Sequence, residues 1–241
     1  MKASSEFTKY DGALLVDKPA GPTSHDVVDA IRHYFGIAKA GHCGTLDPSA
    51  TGLLVVVLGR ATKLSEKFMA ADKVYEGTAC FGITTNTHDA DGEVVDTKPV
   101  PQLTLEQLNA EAEKFEGDIM QLPPMMSAVK KDGVPLYKLA RRGVEVERKE
   151  RLVHIYRFRF LDYEAPLAWF RVASSKGTYV RTLIHDLGQR IGCGAHLKHL
   201  RRIASGQFDV ADAIQFEELL RMSPDEAAGR IIPFLKLAAM Q

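Results

Sequence analysis

The sequence has little that would place the protein in a membrane or in an oxidising compartment. Its longest apolar run, residues 53–58, is far shorter than the roughly 20 residues that a membrane-spanning helix needs. Residues 1–11 are polar and lack the apolar segment of a secretory signal. The three cysteines, Cys43, Cys80 and Cys193, are odd in number and widely spaced, which favours reduced thiols over disulfides or a zinc site. These features predict a cytoplasmic protein with no membrane association.

The sequence also lacks net charge, because 31 basic residues balance 31 acidic ones. The two signs are nevertheless segregated along the chain. Residues 138–160 contain eight Lys or Arg against three acidic residues. Residues 176–202 contain six Lys or Arg and three His against one acidic residue. Two such segments predict either a phosphate-binding face or ordinary solvated surfaces, and charge alone favours the solvated surfaces.

Composition and the order of predicted elements indicate one large α+β domain. With 241 residues, 45% of them hydrophobic, the chain can bury a sizeable core. Strands are predicted at residues 13–16, 53–58, 73–82, 125–129, 144–163 and 167–174, and helices at 104–115 and at 179–191. A further helix is predicted from Thr23, which is spaced from Asp26 like a capping box, to a stop at Gly36. Residues 84–99 are polar and acidic and predict a hairpin-type turn. Because the two kinds of element intermix without a regular βαβ rhythm, a mixed, largely antiparallel sheet is favoured.

The segment at residues 144–163 combines an apolar and a basic side. Strand alternation would place Tyr156, Phe158 and Phe160 on one face and Arg157 and Arg159 on the other. The first face suits a core, and the second suits contact with phosphates.

A carboxylate, Asp47, lies in a stretch of the chain that is bounded by glycines, at residues 41–54. Asp followed by Pro48 is typical of a helix N-terminus, and the dipeptide alone favours that interpretation. Against it, Gly52 and an apolar strand follow at once and leave little room for a helix. The stretch therefore predicts a carboxylate displayed on a loop.

A carboxylate beside the core needs a cation or hydrogen-bond donors. Arg181, near the start of the predicted helix at 179–191, is the best candidate, and a solvent-facing arginine is the alternative. His42 could be a general base, a space-filling wedge or an ordinary polar loop residue. The glycines form no nucleotide-binding motif, and the histidines form no recognisable metal pattern, so neither cofactor nor metal is predicted.

A series of motifs, in order along residues 11–210, resembles the TruB family of pseudouridine synthases, the tRNA pseudouridine-55 synthases. The motifs are Asp17-Lys18-Pro19 with Gly21 and Ser24, residues 41–52, Lys73-Val74-Tyr75, Leu122-Pro123-Pro124, Ser127-Ala128-Val129-Lys130 with Gly133, Tyr137, Ala140-Arg141 and Gly143, Gly177-Thr178-Tyr179-Val180-Arg181-Thr182 with Asp186-Leu187-Gly188, and Leu200-Arg201-Arg202 with Ser205-Gly206. Their number and order make the match far more specific than one short motif.

The resemblance implies a fold, an activity and a substrate. The fold would be the pseudouridine synthase α+β fold, with flanking helices and a central active-site cleft. The reaction would be isomerisation of uridine 55 in the T-arm of tRNA, without metal or cofactor and without an obligate protein partner. Asp47 would be the nucleophile, Tyr75 would stack on the target base and could take the proton from C5, and Arg181 would pair with Asp47.

The resemblance also implies a set of substrate-binding residues: His42, Tyr179, Leu200, Asp89, Lys18 and Lys63. His42 would fill the space left by the flipped nucleotide, Tyr179 and Leu200 would line the uracil pocket, and Asp89 would help hold the nucleotide. Residues 1–241 would form the catalytic domain without the small PUA-type RNA-binding domain that many members carry.

Two other functions stay open on the sequence alone. One is a non-catalytic module that binds tRNA and opens its loops, and the other is a synthase of the same fold that acts on ribosomal RNA. The combination of Asp47, Tyr75 and Arg181 favours an enzyme, because a pure binding module has no need of it. Cys43 stands where the family more often has Thr, and both side chains are small.

Overall fold

The computed structural model describes residues 7–127, 129–131, 133–140 and 142–240. Ala128 and Arg141, both in the motifs above, and residues 1–6 of the polar N-terminal segment lie outside the described residues. The chain folds into two compact units. The first comprises Met1–Lys73 and Arg201–Gln241, and the second comprises Val74–Leu200.

The described residues form an α+β fold, as predicted. The strands are β1 (Gly12–Lys18), β2 (Ala40–His42), β3 (Thr51–Leu58), β4 (Lys73–Phe81), β5 (Ile83–Thr85), β6 (Val94–Thr97), β7 (Gly117–Gln121), β8 (Lys130–Lys131), β9 (Val134–Pro135), β10 (Arg151–Glu164), β11 (Leu167–Ser174), β12 (Ala195–Ser205), β13 (Phe208–Asp209), β14 (Ile214–Gln215) and β15 (Ile232–Pro233). The α-helices are α1 (Ser24–Phe35), α2 (Ser65–Met69), α3 (Leu105–Glu113), α4 (Leu136–Ala140), α5 (Val180–Ile191), α6 (Phe216–Leu219), α7 (Pro224–Ala228) and α8 (Phe234–Ala239). None of these helices has the length and apolarity that crossing a membrane requires.

Strand β3 is the centre of the first unit. It pairs antiparallel with β1, from Gly12 opposite Leu58 to Lys18 opposite Gly52, and it also pairs antiparallel with β2. The last part of β12 runs parallel to the start of β3, with Arg202 opposite Gly52. A strand surrounded in this way is buried on both faces, which explains why its sequence is an apolar run rather than an alternation.

Two apolar layers cover β1 and β3. One layer contains Leu14, Val16, Leu54, Val56 and Leu58 together with Val27, Val28, Ile31 and Phe35 of α1. The opposite layer contains Ala13, Leu15, Leu53, Val55 and Val57 together with Phe68, Phe208 and Leu237. Since residues 53–58 alternate between the two layers, both faces of the strand contribute to the core that supports the loop before it.

The predicted boundaries of α1 are confirmed. The Thr23 hydroxyl accepts from the Asp26 amide at 3.1 Å, and the Thr23 amide donates to the Asp26 carboxylate at 2.9 Å. Such a capping box contributes about 1 kcal/mol to helix stability. The helix ends at Gly36, whose φ of 63° is the left-handed conformation that glycine tolerates best.

The second unit is built on strands in the order β12-β4-β11-β10-β7. Its interior is aromatic, and Phe81, Phe158, Phe160 and Phe170 have neighbouring ring centroids between 5.3 and 6.2 Å apart. Helix α3 is joined to β10 by the Asn109 amide, which bonds both main-chain groups of Phe160. The turn predicted within residues 84–99 is confirmed as the β5–β6 hairpin.

Three expectations about strands are wrong. A register shift between Ile155 and Arg157 reverses the alternation of β10, so that Phe158 and Phe160 are buried while Tyr156 is 50% exposed. This is the effect of a β-bulge, which places one extra residue on its strand. Residues 144–150 precede the strand, which begins at Arg151. Met125 to Ser127 form a bend rather than a strand.

Candidate active site

Asp47 begins a tight turn rather than a helix. Its main-chain carbonyl accepts from the amide of Ala50 at 3.1 Å, and β3 begins at the next residue, Thr51. Asp at the first and Pro at the second position are the residues that a β-turn favours. The helix-capping interpretation of Asp47-Pro48 is therefore wrong, and the half-buried Asp47 lies on a loop, as the alternative predicted.

The buried ammonium of Lys18 holds this turn from one side. Lys18 is 0% exposed, and its Nζ donates to the carbonyls of Pro19 at 2.7 Å, Pro22 at 2.8 Å and Pro48 at 3.0 Å. The turn after β1 is thereby fastened to the residue that follows Asp47. These contacts give Lys18 a positioning role, and its direct contact with substrate stays a prediction.

The guanidinium of Arg202 holds the loop from the other side. Arg202 is 1% exposed, and it donates to the carbonyls of Leu53 at 2.7 Å, Gly44 at 3.1 Å and Thr45 at 3.4 Å. Ser24 adds a reciprocal pair with Leu46, whose amide donates to Oγ at 2.8 Å and whose carbonyl accepts at 3.1 Å. The backbone on both sides of Asp47 is thus fixed by side chains from distant parts of the sequence.

The electrostatic surroundings of the loop are positive. Burial lowers the pKa of Lys18 to about 8, and the Asp47 carboxylate acts in the opposite direction. Arg202 is the second buried cation beside Lys18 and repels it. The loop that carries Asp47 is thus held between two buried cationic side chains, Lys18 and Arg202.

Three further side chains of the first unit, His42, Cys43 and Lys63, differ in burial. Burial lowers the pKa of His42, and Arg202 and His25 add to the effect, so the imidazole is neutral near pH 7. Burial raises the pKa of the Cys43 thiol to about 11, which leaves it unreactive. Lys63 is exposed on the 3₁₀ turn Gly59–Leu64, where it is free to meet solvent or phosphate.

Gly52 is where this loop tolerates a side chain least, because φ is +98° and a Cβ would lie 2.3 Å from the Arg202 carbonyl oxygen. We expect Gly52→Ala to lower the free energy of unfolding by about 3 kcal/mol, from backbone strain and overpacking. Thermal unfolding would show a Tm lower by roughly 10 °C. Gly36→Ala is the matched control, since φ there is +63° and nothing lies within 4 Å of its Cβ position. Equal losses in the two variants would show that the contact with Arg202 is unimportant.

In the second unit, Arg181 is buried, and the alternative of a solvent-facing arginine is wrong. It is the second residue of α5 and only 4% exposed. Its Nη1 lies 3.4 Å from Oδ2 of Asp89, and its Nη2 donates to the Met126 carbonyl at 2.6 Å. The guanidinium carbon is 5.9 Å from the Tyr179 ring centroid. The Arg181–Asp89 pair was not predicted, because nothing in the sequence links two residues 92 positions apart.

Asp89 is oriented by its own loop. Its Oδ1 accepts from the Thr87 hydroxyl and from the Asp91 amide at 3.2 Å. The loop is in turn fastened to β12, because the Ala90 amide donates to the Leu197 carbonyl at 3.0 Å. Asp89 is 9% exposed, so its carboxylate is held by the protein rather than by bulk water.

Tyr75, Tyr179 and Leu200 also belong to the second unit. Tyr75 is buried on β4, and Leu200 is half-buried on β12. Tyr179 precedes α5, where the Gln121 amide bonds its main-chain nitrogen at 2.7 Å and its carbonyl at 3.1 Å. Gln121 was not singled out in the sequence. The predicted pairing of Arg181 with Asp47 joins residues of different units and stays a prediction.

The basic side predicted for β10 is neutralised by glutamates. Arg157 lies 3.8 Å from Glu116, and Arg159 lies 3.1 Å from Glu113. The outer arginines Arg171 of β11 and Arg190 of α5 are likewise paired, with Glu76 and Glu111 respectively. This face is therefore less suited to phosphates than the charge count of the sequence indicates. Across the described part of the chain, no three His, Cys, Asp or Glu side chains are grouped to hold a metal ion.

Comparison with known proteins identifies the family. Residues 32–180 match the family model of the TruB family pseudouridylate synthase (N terminal domain), and residues 181–233 match that of the tRNA pseudouridylate synthase B C-terminal domain. The tRNA pseudouridine synthase B of Opitutus terrae is 49% identical over 230 residues, covering 95% of both chains. That of Stutzerimonas stutzeri is 50% identical over 225 residues, covering 93% of this chain and 73% of its own.

Solved structures agree. A Cbf5-Nop10-Gar1 complex contains a chain with a TM-score of 0.75 and 30% identity, covering 95% of this chain and 61% of that one. The chain thus spans less than two thirds of that neighbour. These similarities cover nearly the whole sequence, and they show that the chain belongs to the TruB family of pseudouridylate synthases and is an isomerase.

Proposed function

We propose that this chain converts uridine 55 in the T-arm of tRNA to pseudouridine, with Asp47 as the nucleophile. Its relatives named tRNA pseudouridine synthase B support tRNA as the substrate. The observation that carries the mechanism is the fixed backbone around Asp47. Lys18 and Arg202, both buried, hold carbonyls on each side of the carboxylate, as a pre-positioned nucleophile requires.

The reaction conserves every atom and needs no net oxidation or reduction. The bond from N1 of uracil to C1′ breaks, the base turns, and a bond from C5 to C1′ forms. C5 gives up its proton, and N1 gains one. The carboxylate of Asp47 attacks the target nucleotide, either at the base or at C1′, and holds the attacked fragment while the base turns. The bond to Asp47 breaks once C5 has joined C1′, or as it does so, and the carboxylate is regenerated. Tyr75 stacks on the base and is the candidate acceptor of the C5 proton.

Binding of the target nucleotide is assigned to the second unit. A base in a structured RNA loop must leave its stack before it can react, and the enzyme must then hold it by stacking and edge contacts. Tyr179 and Leu200 are the proposed walls of the uracil pocket, and Asp89 is the proposed polar contact. Arg181, which is buried and lies 3.4 Å from Asp89, is proposed to pair with Asp47. His42, neutral and half-buried, suits the role of a wedge in the space that the nucleotide leaves.

The setting of the reaction is part of the same proposal. The chain acts in the cytoplasm on tRNA, with residues 1–241 as its catalytic domain and without an obligate protein partner. The structural neighbour reported above is part of a Cbf5-Nop10-Gar1 complex, but the relatives are named as synthases without partner proteins. Lys63 is the proposed contact to the RNA backbone in the first unit, and binding should weaken as the salt concentration rises.

The test is release of tritium from tRNA transcribed with uridine labelled at C5. We expect about one tritium per tRNA from a transcript with uridine 55, and none from a transcript in which cytidine replaces it. A transcript in which another T-loop uridine is replaced is the matched control and should react normally. Equal release from the cytidine-55 transcript would contradict the assigned position. If no tRNA transcript released tritium while labelled ribosomal RNA did, a synthase that acts on ribosomal RNA would be the better interpretation.

A further inference from the structure

Two histidines that the mechanism does not use stack face to face in the second unit. The ring centroids of His88 and His185 are 3.7 Å apart, and their planes differ by 4°. The Nδ1 atoms of both rings are buried and have no hydrogen-bond partner among the residues that the structure describes. The contact between them is therefore one of ring surfaces rather than of hydrogen bonds.

Each ring belongs to an element that also carries one member of the Arg181–Asp89 ion pair. His88 immediately precedes Asp89, and its carbonyl accepts from the Leu197 amide at 2.9 Å. His185 follows Arg181 by four residues on α5, so both side chains lie along the same side of the helix. The loop that carries Asp89 is thus joined to α5 by two contacts, a charged pair and an aromatic stack.

The backbone at His88 adds a cost that the stack helps to offset. Its φ is +65°, and it is the non-glycine residue with positive φ in the described chain. A side chain in this left-handed conformation is strained compared with glycine. A bulky residue in this conformation calls for a compensating contact, and the His185 ring provides one.

We propose that the His88–His185 stack is a positioning element, which keeps Asp89 and Arg181 in the arrangement that the isomerisation needs. The proposal rests on the function proposed above. No bond is made or broken at either imidazole. The rings act by fixing the loop before Asp89 against the face of α5 that carries Arg181.

The stack works with neutral rings, because two imidazolium ions at this distance would repel each other. Burial lowers the pKa of both histidines, that of His88 to about 3 with help from His185, Arg181 and Arg148. The charged groups that act on His88 are Arg181 and Arg148, and both add to the effect of burial in lowering its pKa. Because the pKa of His88 is lower in the folded than in the unfolded protein, its contribution to stability is complete above about pH 6.5 and declines as the pH falls toward 3.

Two variants at His88 distinguish the effect of the ring from the effect of the strained backbone. His88→Gly removes the ring but relieves the positive φ, and His88→Phe keeps a stacking ring that cannot ionise. With enzyme in excess over tritiated tRNA, we expect His88→Gly to lower the single-turnover rate constant about tenfold while the Kd for tRNA changes by less than about twofold. His88→Phe should stay within about threefold of the parent rate. His185→Ala should resemble His88→Gly, and the double variant should be no slower than either, because both remove the same contact.

Hydrogen exchange gives a readout independent of catalysis. The amides of Ala90 and Leu197, which join the Asp89 loop to β12, should exchange faster in His88→Gly and at the parent rate in His88→Phe. The proposal would be overturned if His88→Gly kept both the single-turnover rate and the amide exchange rates of the parent. It would also be overturned if His88→Phe were as slow in turnover as His88→Gly. If the parent enzyme released no tritium, the proposed function would fail, and the exchange data would still decide whether the stack holds the loop.

Discussion

Replacing Asp47 with Asn is expected to reduce tritium release from uridine-55 tRNA by at least about a thousandfold. The amide has nearly the same shape as the carboxylate, and the turn depends on the main-chain carbonyl of Asp47, which the substitution retains. What is lost is the charged oxygen that can form a bond with the nucleotide. We therefore expect folding to be unaffected, and the Kd for tRNA, measured by filter binding, to stay within about threefold of the parent.

Asp29→Asn is the matched control for this experiment. Asp29 lies on α1, and its carboxylate forms partly exposed pairs with His25 at 3.2 Å and with Arg32 at 3.0 Å. Such pairs contribute little to stability, so this variant should react at the parent rate. Parental turnover by Asp47→Asn would remove Asp47 from the mechanism. If the parent protein itself bound tRNA without releasing tritium, a non-catalytic binding module would become the better interpretation.

The features predicted correctly from sequence are those that depend on neighbouring residues. The capping box at the start of α1 requires only Thr23 and Asp26, which are three positions apart. Strand β3 is a continuous apolar run, and glycine and proline mark the turns around it. The display of Asp47 on a loop could be predicted for the same reason, since Gly52 and the strand leave no room for a helix.

Contacts between distant residues could not be predicted in this way. Arg202 reaches the loop carbonyl of Gly44 across 158 positions, and Arg181 reaches Asp89 across 92. Their sequence neighbourhoods indicate charge but not partners. A β-bulge is equally hard to predict from sequence. The bulge before Arg157 places one extra residue on the strand, so that Tyr156 lies on the surface rather than in the core. The family resemblance singled out most of the candidate residues, but it gave no indication that Lys18 donates hydrogen bonds to three main-chain carbonyls.

Arg202→Met provides the strongest test of the idea that a fixed loop makes Asp47 reactive. Methionine keeps much of the buried volume but leaves the carbonyls of Leu53, Gly44 and Thr45 without their donor. Of these acceptors the Leu53 carbonyl is buried and those of Gly44 and Thr45 are partly buried. Because a buried acceptor without a partner costs about 1 kcal/mol or more and a partly buried one costs less, we expect a loss of about 2 kcal/mol in the free energy of unfolding by urea. With the loop free to move, the single-turnover rate should fall by about a hundredfold or more, because displacement by about 1 Å can have that effect.

Two further variants make the Arg202 result interpretable. Arg202→Lys keeps the charge but not the planar fork of donors, so it should satisfy fewer carbonyls and lie between the parent and Arg202→Met in both measurements. Arg190→Met removes a partly exposed arginine paired with Glu111 at 2.9 Å and should change stability by less than about 0.5 kcal/mol. If Arg202→Met lost stability but kept the parent rate at a temperature where it is folded, the guanidinium would support the fold alone. A rate that falls in step with the number of carbonyls left unsatisfied would instead connect the geometry of this loop directly to the reactivity of Asp47.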